Sequence, residues 1–552
     1  MRWWGWGDPE HPQALNARTL ELLRETVGVS ERPRPPVALD AVRLPQIGLD
    51  EDARAALAAI VGADAVRDDR LERVAHAAGK GYVDLVRMRA GTPAGAPDAV
   101  VLPDSHEQLR AVLELCASRG LAVVPFGGGT SVVGGVEPLT GEHAATIALD
   151  MRRIARISEL DRESRIVTVG AGMRAPELER ALAAEGLTLG HWPQSYEYVT
   201  LGGCAASRSA GQASSGYGSI AKMVLGLRLA APAGDIALAP MPASAAGPEL
   251  RELIVGSEGT LGVIDEVSLR VRPAPARRRY EGVMFESFAA GLQALRAMAQ
   301  EHATPDVARL SDAEETRMSM ALAEGGGVVK GAVGRAYLAA RGRGDRSKIG
   351  QRAPRRCIAI LGFEGERGEV KGRRARALGL ARHSGGVALG GSPGRAWLAG
   401  RFQAPYLRDD LLSHGVMVET LETATRWSNV ERLHGAVAGA IARALELQGT
   451  PGIVMCHVSH LYETGASLYY TFIARQRPGR EIEQWRAVKH AASDAIVADG
   501  GTITHHHAVG RDHAPWLGSE IGAQGVAALR ALKTELDPAG TMNPGKLLPS
   551  AG

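Results

Sequence analysis

Three glycine-rich stretches constrain this chain more than any other feature. Pro125-Phe126-Gly127-Gly128-Gly129-Thr130-Ser131 follows the apolar run LAVV, so consecutive glycines fall where a strand turns. A backbone without Cβ atoms can approach an anion closely and cradle it with N–H groups, and a pyrophosphate is the usual tenant. A nucleotide cofactor is the natural candidate, and a tight turn with no ligand is the plain alternative for any one such loop. Thr200-Leu201-Gly202-Gly203-Cys204-Ala205-Ala206-Ser207 and Gly256-Ser257-Glu258-Gly259-Thr260-Leu261-Gly262-Val263-Ile264 repeat the theme, and three such loops are hard to explain as turns alone. No G-x-x-x-x-G-K-[ST] occurs, which excludes a P-loop. Gly170-Ala171-Gly172-Met173-Arg174-Ala175 lacks the third glycine of a dinucleotide fingerprint, which disfavours a Rossmann domain.

The surroundings of the loops predict an α+β fold. Residues 1 to 93 carry Ala, Leu, Arg and Glu at helical spacing, as in ARTLELLRETVG, and read as a helical N-terminal segment interrupted by ERPRPPVALD. From 94 to 275, DAVVLP, SHEQLRAVLELCASRG and LAVVPFGGGTS read as strand, helix, strand. A compositional break follows VSLRVRPAPARRRY. From 276 to 489, segments such as CIAILGFEGE and SLYYTFIAR predict a second sheet-containing domain. Residues 490 to 552 run helix, GGTITHHHAVG, helix, LDPAGTMNPGKLLP. The basic stretch from 325 to 356 reads as a solvated or disordered surface loop, with contact to anionic lipid headgroups as the sharper alternative.

Composition narrows the function classes. The 64 basic residues against 61 acidic ones leave a net charge of +3, so no global field points to nucleic acid. Four cysteines, Cys116, Cys204, Cys357 and Cys456, have no C-x-x-C spacing, which argues against a disulfide framework or a zinc knuckle and for a reducing compartment. The start, MRWWGWGDPEHPQ, lacks the apolar run of a secretory signal, no run approaches the roughly 20 apolar residues of a membrane span, and no S-K-L ends the chain. A cytoplasmic location is expected, with peripheral membrane contact left open.

Two segments carry candidate chemistry. If THHHAV is extended, His505 and His507 project to one face and His506 to the other, so two imidazoles could enter a site together, shuttling protons or stabilising an anion. A metal site, completed by His513 or His457, and an inert surface loop are the alternatives; no metal is expected. In SLYYTF, alternation puts Ser467, Tyr469 and Thr471 on one face and Leu468 and Tyr470 on the other. Tyr469 is then either a core tyrosine or a reacting group. A phenol of ordinary pKa near 10 is a poor base at neutral pH, so a basic role requires nearby cations or donors.

Together PFGGGTS, the T-x-G-G segment and GSEGTLGVI resemble the FAD-binding domain of the vanillyl-alcohol oxidase flavoproteins. That resemblance implies a two-subdomain PCMH-type FAD-binding domain, an α+β cap domain with an antiparallel sheet, and a C-terminal N-P-x-K-L-L motif, Asn543 to Leu548, that returns to close the first domain. It implies that FAD is held by Pro125, Phe126, Gly127, Gly128, Gly129, Thr130 and Ser131. Further cofactor contacts fall on Pro193, Gln194 and Ser195, on Thr200, Gly202, Gly203, Ala206, Ser207 and Ser209, and on Glu258, Gly259, Thr260, Leu261, Gly262, Val263 and Ile264. Thr130 stands where some members carry a flavin-linking histidine, so non-covalent FAD is expected.

The H-x-G-D-G-N-x-H and E-H-G-x-G segments of the 2-hydroxy acid dehydrogenases are replaced here by CHVSHLYETG and HHHAVG. W-G-W-G, GHWPQS, ARLSD, PYLRD, SHLYETGASLYY and THHHAVGRDHAPWL instead resemble the alkyldihydroxyacetonephosphate synthases, over most of the chain and least from 320 to 356. By that resemblance the enzyme exchanges the acyl chain of acyl-dihydroxyacetone phosphate for a fatty alcohol, on FAD and without net redox change. Tyr469 takes a proton from substrate C1, His505, His506 and His507 handle the alcohol proton, Arg408 lies near the substrate phosphate and Arg309 orders the site. An ordinary salt bridge is the alternative for each arginine. A homodimer acting on lipid substrates is expected. An FAD-dependent oxidase or dehydrogenase of a 2-hydroxy acid or alcohol, and a flavin-binding protein without catalysis, are the competing readings.

Overall fold

The LAVV run is one strand of a small sheet in which β1 (Val66–Arg67), β2 (Ala99–Val101), β3 (Leu121–Phe126) and β4 (Ala145–Asp150) lie in the order β1-β2-β4-β3. The computed structural model describes residues 1–7, 15–30, 32–324 and 356–549. Apart from Arg356, the basic stretch 325 to 356 lies outside the described residues. β2 and β3 run parallel to β4, joined through the helix His106–Arg119. Ser105 caps that helix by accepting the Gln108 N–H at 3.2 Å, and Gly120 ends it in the left-handed conformation that only glycine adopts freely. The helix and its neighbour Glu51–Val61 bury Leu109, Val112 and Leu57 against Val123 and Ile147.

Residues 49 to 67, expected within a helical N-terminal segment, therefore belong to this first layer, and β1 pairs antiparallel with β2. Two residues are too few to show alternation, which is why the strand left no trace in the sequence pattern.

A second sheet carries the next two glycine loops. It contains β5 (Ile157–Asp161), β6 (Ile166–Gly170), β8 (Val224–Ala231), β9 (Gly234–Leu238) and β10 (Val263–Arg270), all antiparallel, in the order β5-β6-β10-β8-β9. A short ribbon pairs β7 (Leu187–Thr188) with β11 (Arg272–Pro273).

The remaining strands form one seven-stranded antiparallel sheet. β12 (Arg277–Phe285), β13 (Val307–Ser311), β14 (Cys357–Gly365), β15 (Val387–Gly390), β16 (Val416–Arg426), β17 (Ile453–Leu461) and β18 (Gly465–Arg475) lie in the order β15-β12-β14-β13-β17-β18-β16. Side chains alternate across each strand. Leu468, Tyr470 and Phe472 of β18 join Leu421, Val458, Leu361 and Phe363 beneath helices such as Val430–Leu447 and Glu481–Ala498. Tyr469 and Thr471 point to the other face, as the alternation of SLYYTF predicts.

The C-terminal segment returns to the first sheet. Met542 bridges Val123 in parallel, the Asn543 N–H donates to Val123 O at 2.8 Å, and its side-chain amide donates to Gly135 O at 3.0 Å and Glu258 O at 2.7 Å.

Phe363 is fully buried between β14 and the helix layer. Phe363→Ala is expected to destabilise the protein by about 3–5 kcal/mol, read as a lower midpoint in thermal or urea unfolding. An unchanged midpoint would show that the helices do not rest on this face.

Candidate active site

The glycine loops line one end of a cavity of about 450 Å³. Pro125, Phe126, Gly127, Gly128, Gly129, Thr130 and Ser131 form one wall, and Pro193, Gln194 and Ser195 a second. Thr200, Gly202, Gly203, Ala206, Ser207 and Ser209 form a third. Close backbone packing explains the glycines: a Cβ on Gly128 would stand 2.0 Å from Tyr198 O, and Gly129, at φ +65, lies against the Phe126 ring. Among the described residues, the amides of Gly128, Gly129 and Thr130 find no protein acceptor. Free N–H groups turned to a cavity suit a phosphate or pyrophosphate.

Glu258, Gly259, Gly262, Val263 and Ile264 complete this end, but Thr260 and Leu261 do not reach it. The Thr260 hydroxyl donates to Ser257 O at 2.7 Å and Leu261 packs in the core of the second sheet. A seven-residue loop cannot turn every side chain to one cavity, and these two anchor it from behind.

At the other end lies the face of the seven-stranded sheet opposite the helix layer. Glu422 of β16, Tyr469 of β18 and His457 of β17 are direct cross-strand neighbours, and the His457 ring stacks on Tyr469 at 5.0 Å. Arg309 of β13 donates to His457 Nε2 at 2.9 Å and to Glu315 Oε1 at 2.7 Å, and Glu315 also meets His457 Nδ1 at 3.0 Å. Arg309 is thus half of an ion pair that orients the imidazole beneath Tyr469. Burial raises the Glu315 carboxyl, but Arg309 and His457 outweigh it and hold the group well below the usual carboxylate range. Arg408, on the helix Ala404–Ser413, has no carboxylate within ion-pair distance among the described residues, and its Nε is buried without a hydrogen-bond partner.

The histidine segment is not extended. It bends around Glu422, whose carboxylate accepts the backbone N–H groups of His505, His506 and His507 at 2.7, 2.8 and 2.8 Å. His506 and His507 line the cavity with Tyr469, and His505 lies behind them, its Nδ1 2.8 Å from His506 Nδ1 and its Nε2 2.5 Å from the Tyr462 hydroxyl. The alternation expected of a strand fails because three consecutive amides converge on a single acceptor.

His460, His505 and His506 bring ring nitrogens within 4.8 Å of one another. His460 meets Gly211 O at 2.9 Å and Ser467 Oγ at 3.2 Å, and both His505 nitrogens are engaged as above. The supplementary ligands expected for a metal, His457 and His513, are elsewhere occupied, His513 with Ala508 O at 2.9 Å.

Comparison with known proteins bears on this arrangement. The FAD binding domain matches residues 97–238, and the C-terminal domain of FAD linked oxidases matches residues 274–547. The chain is 34% identical to alkyldihydroxyacetonephosphate synthase of Dictyostelium discoideum over 88% of its own length and 79% of that protein's. To the synthase of Trypanosoma brucei brucei it is 32% identical over 100% of its length and 92% of the other's. The chain belongs to the alkyldihydroxyacetonephosphate synthase family. A solved synthase structure matches at a TM-score of 0.85 with 29% identity, covering 99% of each chain. The cofactor of the matched domains is FAD, and the glycine cradle with its free amides fits it.

Several cavity residues of this family member are not assigned to a flavin or substrate site by the sequence, which offers His457 only as a metal ligand. Trp6 lines the cavity beside Arg408; its backbone N–H donates to Asp409 Oδ2 at 2.7 Å and its ring meets Tyr198 edge-on at 5.4 Å. His457, Ser459, His460 and Thr420 also line it. Strand period places His457 and Ser459 on one face, His460 joins them where the β17–β18 register shifts between Val458 and Leu461, and only the pairing of β16, β17 and β18 brings Thr420 to them. No described helix is long and apolar enough to cross a membrane.

Burial pushes the Tyr469 phenol up to about 12; Glu422 and Glu419 add to the rise, and Thr420 and Arg408 oppose it. The cations expected to favour phenolate are therefore outweighed in the protein alone.

Burial also lowers several imidazoles, among them His505 to about 4 and His191, His507 and His513 to about 3. An unfolded histidine takes up its proton near pH 6.5. With folded pKa values depressed, the stability these groups contribute is present above pH 6.5 and is lost as pH falls from 6.5 toward 4. The thermal midpoint is expected to drop steeply between pH 7 and 5, and a flat midpoint across that window would refute the assignment of neutral buried histidines.

Proposed function

We propose that this protein exchanges the acyl chain of acyl-dihydroxyacetone phosphate for a fatty alcohol, with non-covalent FAD and no net redox change. The observation that carries the reading is one cavity joining a phosphate-suited glycine cradle to Tyr469, His506, His507 and Arg408, whose buried Nε has no hydrogen-bond partner among the described residues. The full-length likeness to synthases supports it, as does the HHH segment in the place of E-H-G-x-G. Thr130, on the cradle wall, offers no imidazole for a covalent flavin link.

Each residue's part follows from its surroundings. Arg408 binds the substrate phosphate, for which a planar guanidinium with free donors is suited. Tyr469 accepts the proton from substrate C1. A phenol that stays protonated at rest can do so only while passing on its own proton, and His507, neutral at pH 7, lies edge-on to it at 5.5 Å. Arg309 and Glu315 hold His457 against the opposite side of the phenol. His506 and His507 handle the alcohol proton. FAD, held by the glycine loops, supplies the centre through which the alkyl carbon changes its oxygen substituent.

Incorporation of radiolabelled fatty alcohol into acyl-dihydroxyacetone phosphate by the flavin-loaded protein tests the reading. Tyr469→Phe is expected to lower turnover by about 100-fold or more with the flavin spectrum unchanged. Arg408→Met should raise KM by about 10- to 100-fold. A wild-type protein that transfers no alcohol, but whose flavin bleaches anaerobically with lactate or glycolate, would establish a dehydrogenase instead.

A further inference from the structure

We propose that Glu422 is the positioning residue of a proton relay that runs from the cavity through His506 and His505 to Tyr462. The inference rests on the proposed function only for what the relay serves.

Glu422 is 1% exposed and has no Lys or Arg within ion-pair distance among the described residues. A carboxylate so placed needs hydrogen-bond donors and a compensating charge. The donors are three successive amides and the Thr504 hydroxyl, which reaches Oε1 at 2.9 Å. Among the described residues, the basic groups within ion-pair distance are the three histidines, with His506 Nδ1 nearest at 3.3 Å and the His505 and His507 nitrogens at 3.7 and 3.8 Å. Burial raises the carboxyl, yet the histidines, His506 foremost, outweigh it and keep the group ionised.

The ring contacts then define a path. His505 Nδ1 and His506 Nδ1 are 2.8 Å apart, so one proton must lie between two nitrogens that would otherwise repel. His505 Nε2 meets the Tyr462 hydroxyl at 2.5 Å. Tyr462 is half-buried at the β17–β18 turn, followed by exposed Glu463 and Thr464, while His506 faces the cavity. This gives His505, which does not line the cavity, a part in the chemistry: a proton taken up at His506 leaves by way of His505 and Tyr462, with Glu422 fixing both rings and stabilising the positive charge in transit. His460, beside both rings, is committed to Gly211 O and the Ser467 hydroxyl and stays outside the path.

The test uses FAD-loaded protein. Glu422→Gln keeps the shape but removes the charge and sets an amide donor against backbone donors. It is expected to lower kcat by about 100-fold with KM within about threefold, and Glu422→Asp to recover part of that loss. Tyr462→Phe and Thr504→Val each remove one hydrogen bond and should lower kcat by about three- to tenfold at unchanged KM and flavin content. They decide the matter if Glu422→Gln fails to fold, and wild-type kcat in both would overturn the proposal, as would wild-type kcat in flavin-loaded Glu422→Gln. In ¹⁵N-histidine-labelled protein, the shared proton should give a downfield imidazole N–H resonance that is lost in Glu422→Gln or, should that variant not fold, in His505→Gln. Its absence from wild type would overturn the relay. Its presence in a protein that transfers no alcohol would leave the relay standing and remove the proposed function.

Discussion

The active site exists only because the end of the chain is tied to the cofactor cradle, and the tie is made by Glu258. Its carboxylate accepts the N–H groups of Val509 and Gly510 at 2.8 and 2.7 Å, immediately after the histidine segment, and its carbonyl accepts the Asn543 amide at 2.7 Å. Two C-terminal segments, each more than 250 residues further along the chain, thereby meet at one residue of a glycine loop. Its backbone sits at φ +55, a conformation unfavourable for a residue with a side chain and tolerated where surrounding contacts over-determine it. Without this knot the cradle and the cap-domain sheet would each be intact, but His506 and His507 would not be held between them.

Comparison of the site's buried carboxylates shows how differently one side chain can be used. Glu258 has backbone donors and only a distant lysine, so burial dominates and pushes it up to about 7. Glu422 has similar backbone donors but three imidazoles besides, and burial loses. Glu315 has Arg309 and His457 and is held lower in the same way. Hydrogen bonds alone do not keep a fully buried carboxylate ionised; partners that can carry positive charge do. Glu258 thus works as a structural knot, whereas Glu315 and Glu422 orient basic rings on either side of Tyr469.

Much of this was legible in the sequence, and what was not has a common cause. The glycine loops announce themselves because backbone approach demands a residue type, and the alternation of SLYYTF follows from strand geometry, so Tyr469 and Thr471 fall on the cavity face as read. The convergence of Glu422, Tyr469 and His457 depends on the register of three strands, which no local pattern encodes. Whether the histidine segment is extended is not legible in it, because its conformation is dictated by an acceptor 83 residues away in sequence, Glu422, and not by its own propensities. Thr260 and Leu261 share a motif with cavity residues yet face the core, since a motif marks a loop and not the direction of each side chain.

The N-terminal W-G-W-G shows the same limit from the other side. Its tryptophans suggest packing, but its glycines are explained only by what they lie against. A Cβ on Gly5 would stand 2.2 Å from Asp409 Oδ2, and one on Gly7, at φ +80, would meet the Tyr406 ring at 2.2 Å. The segment is pressed onto the helix Ala404–Ser413, and Lys80 holds it from beneath by donating to Arg2 O at 2.9 Å. Asp409 Oδ2 accepts the Trp6 backbone N–H at 2.7 Å and lies 3.7 Å from the Arg2 guanidinium, so this carboxylate faces the N-terminal segment, and its neighbour Arg408 has no carboxylate within ion-pair distance among the described residues. An arginine left without a carboxylate beside a cavity is available to an anionic ligand, so the first residues of the chain help to set the charge of a site built by its last ones.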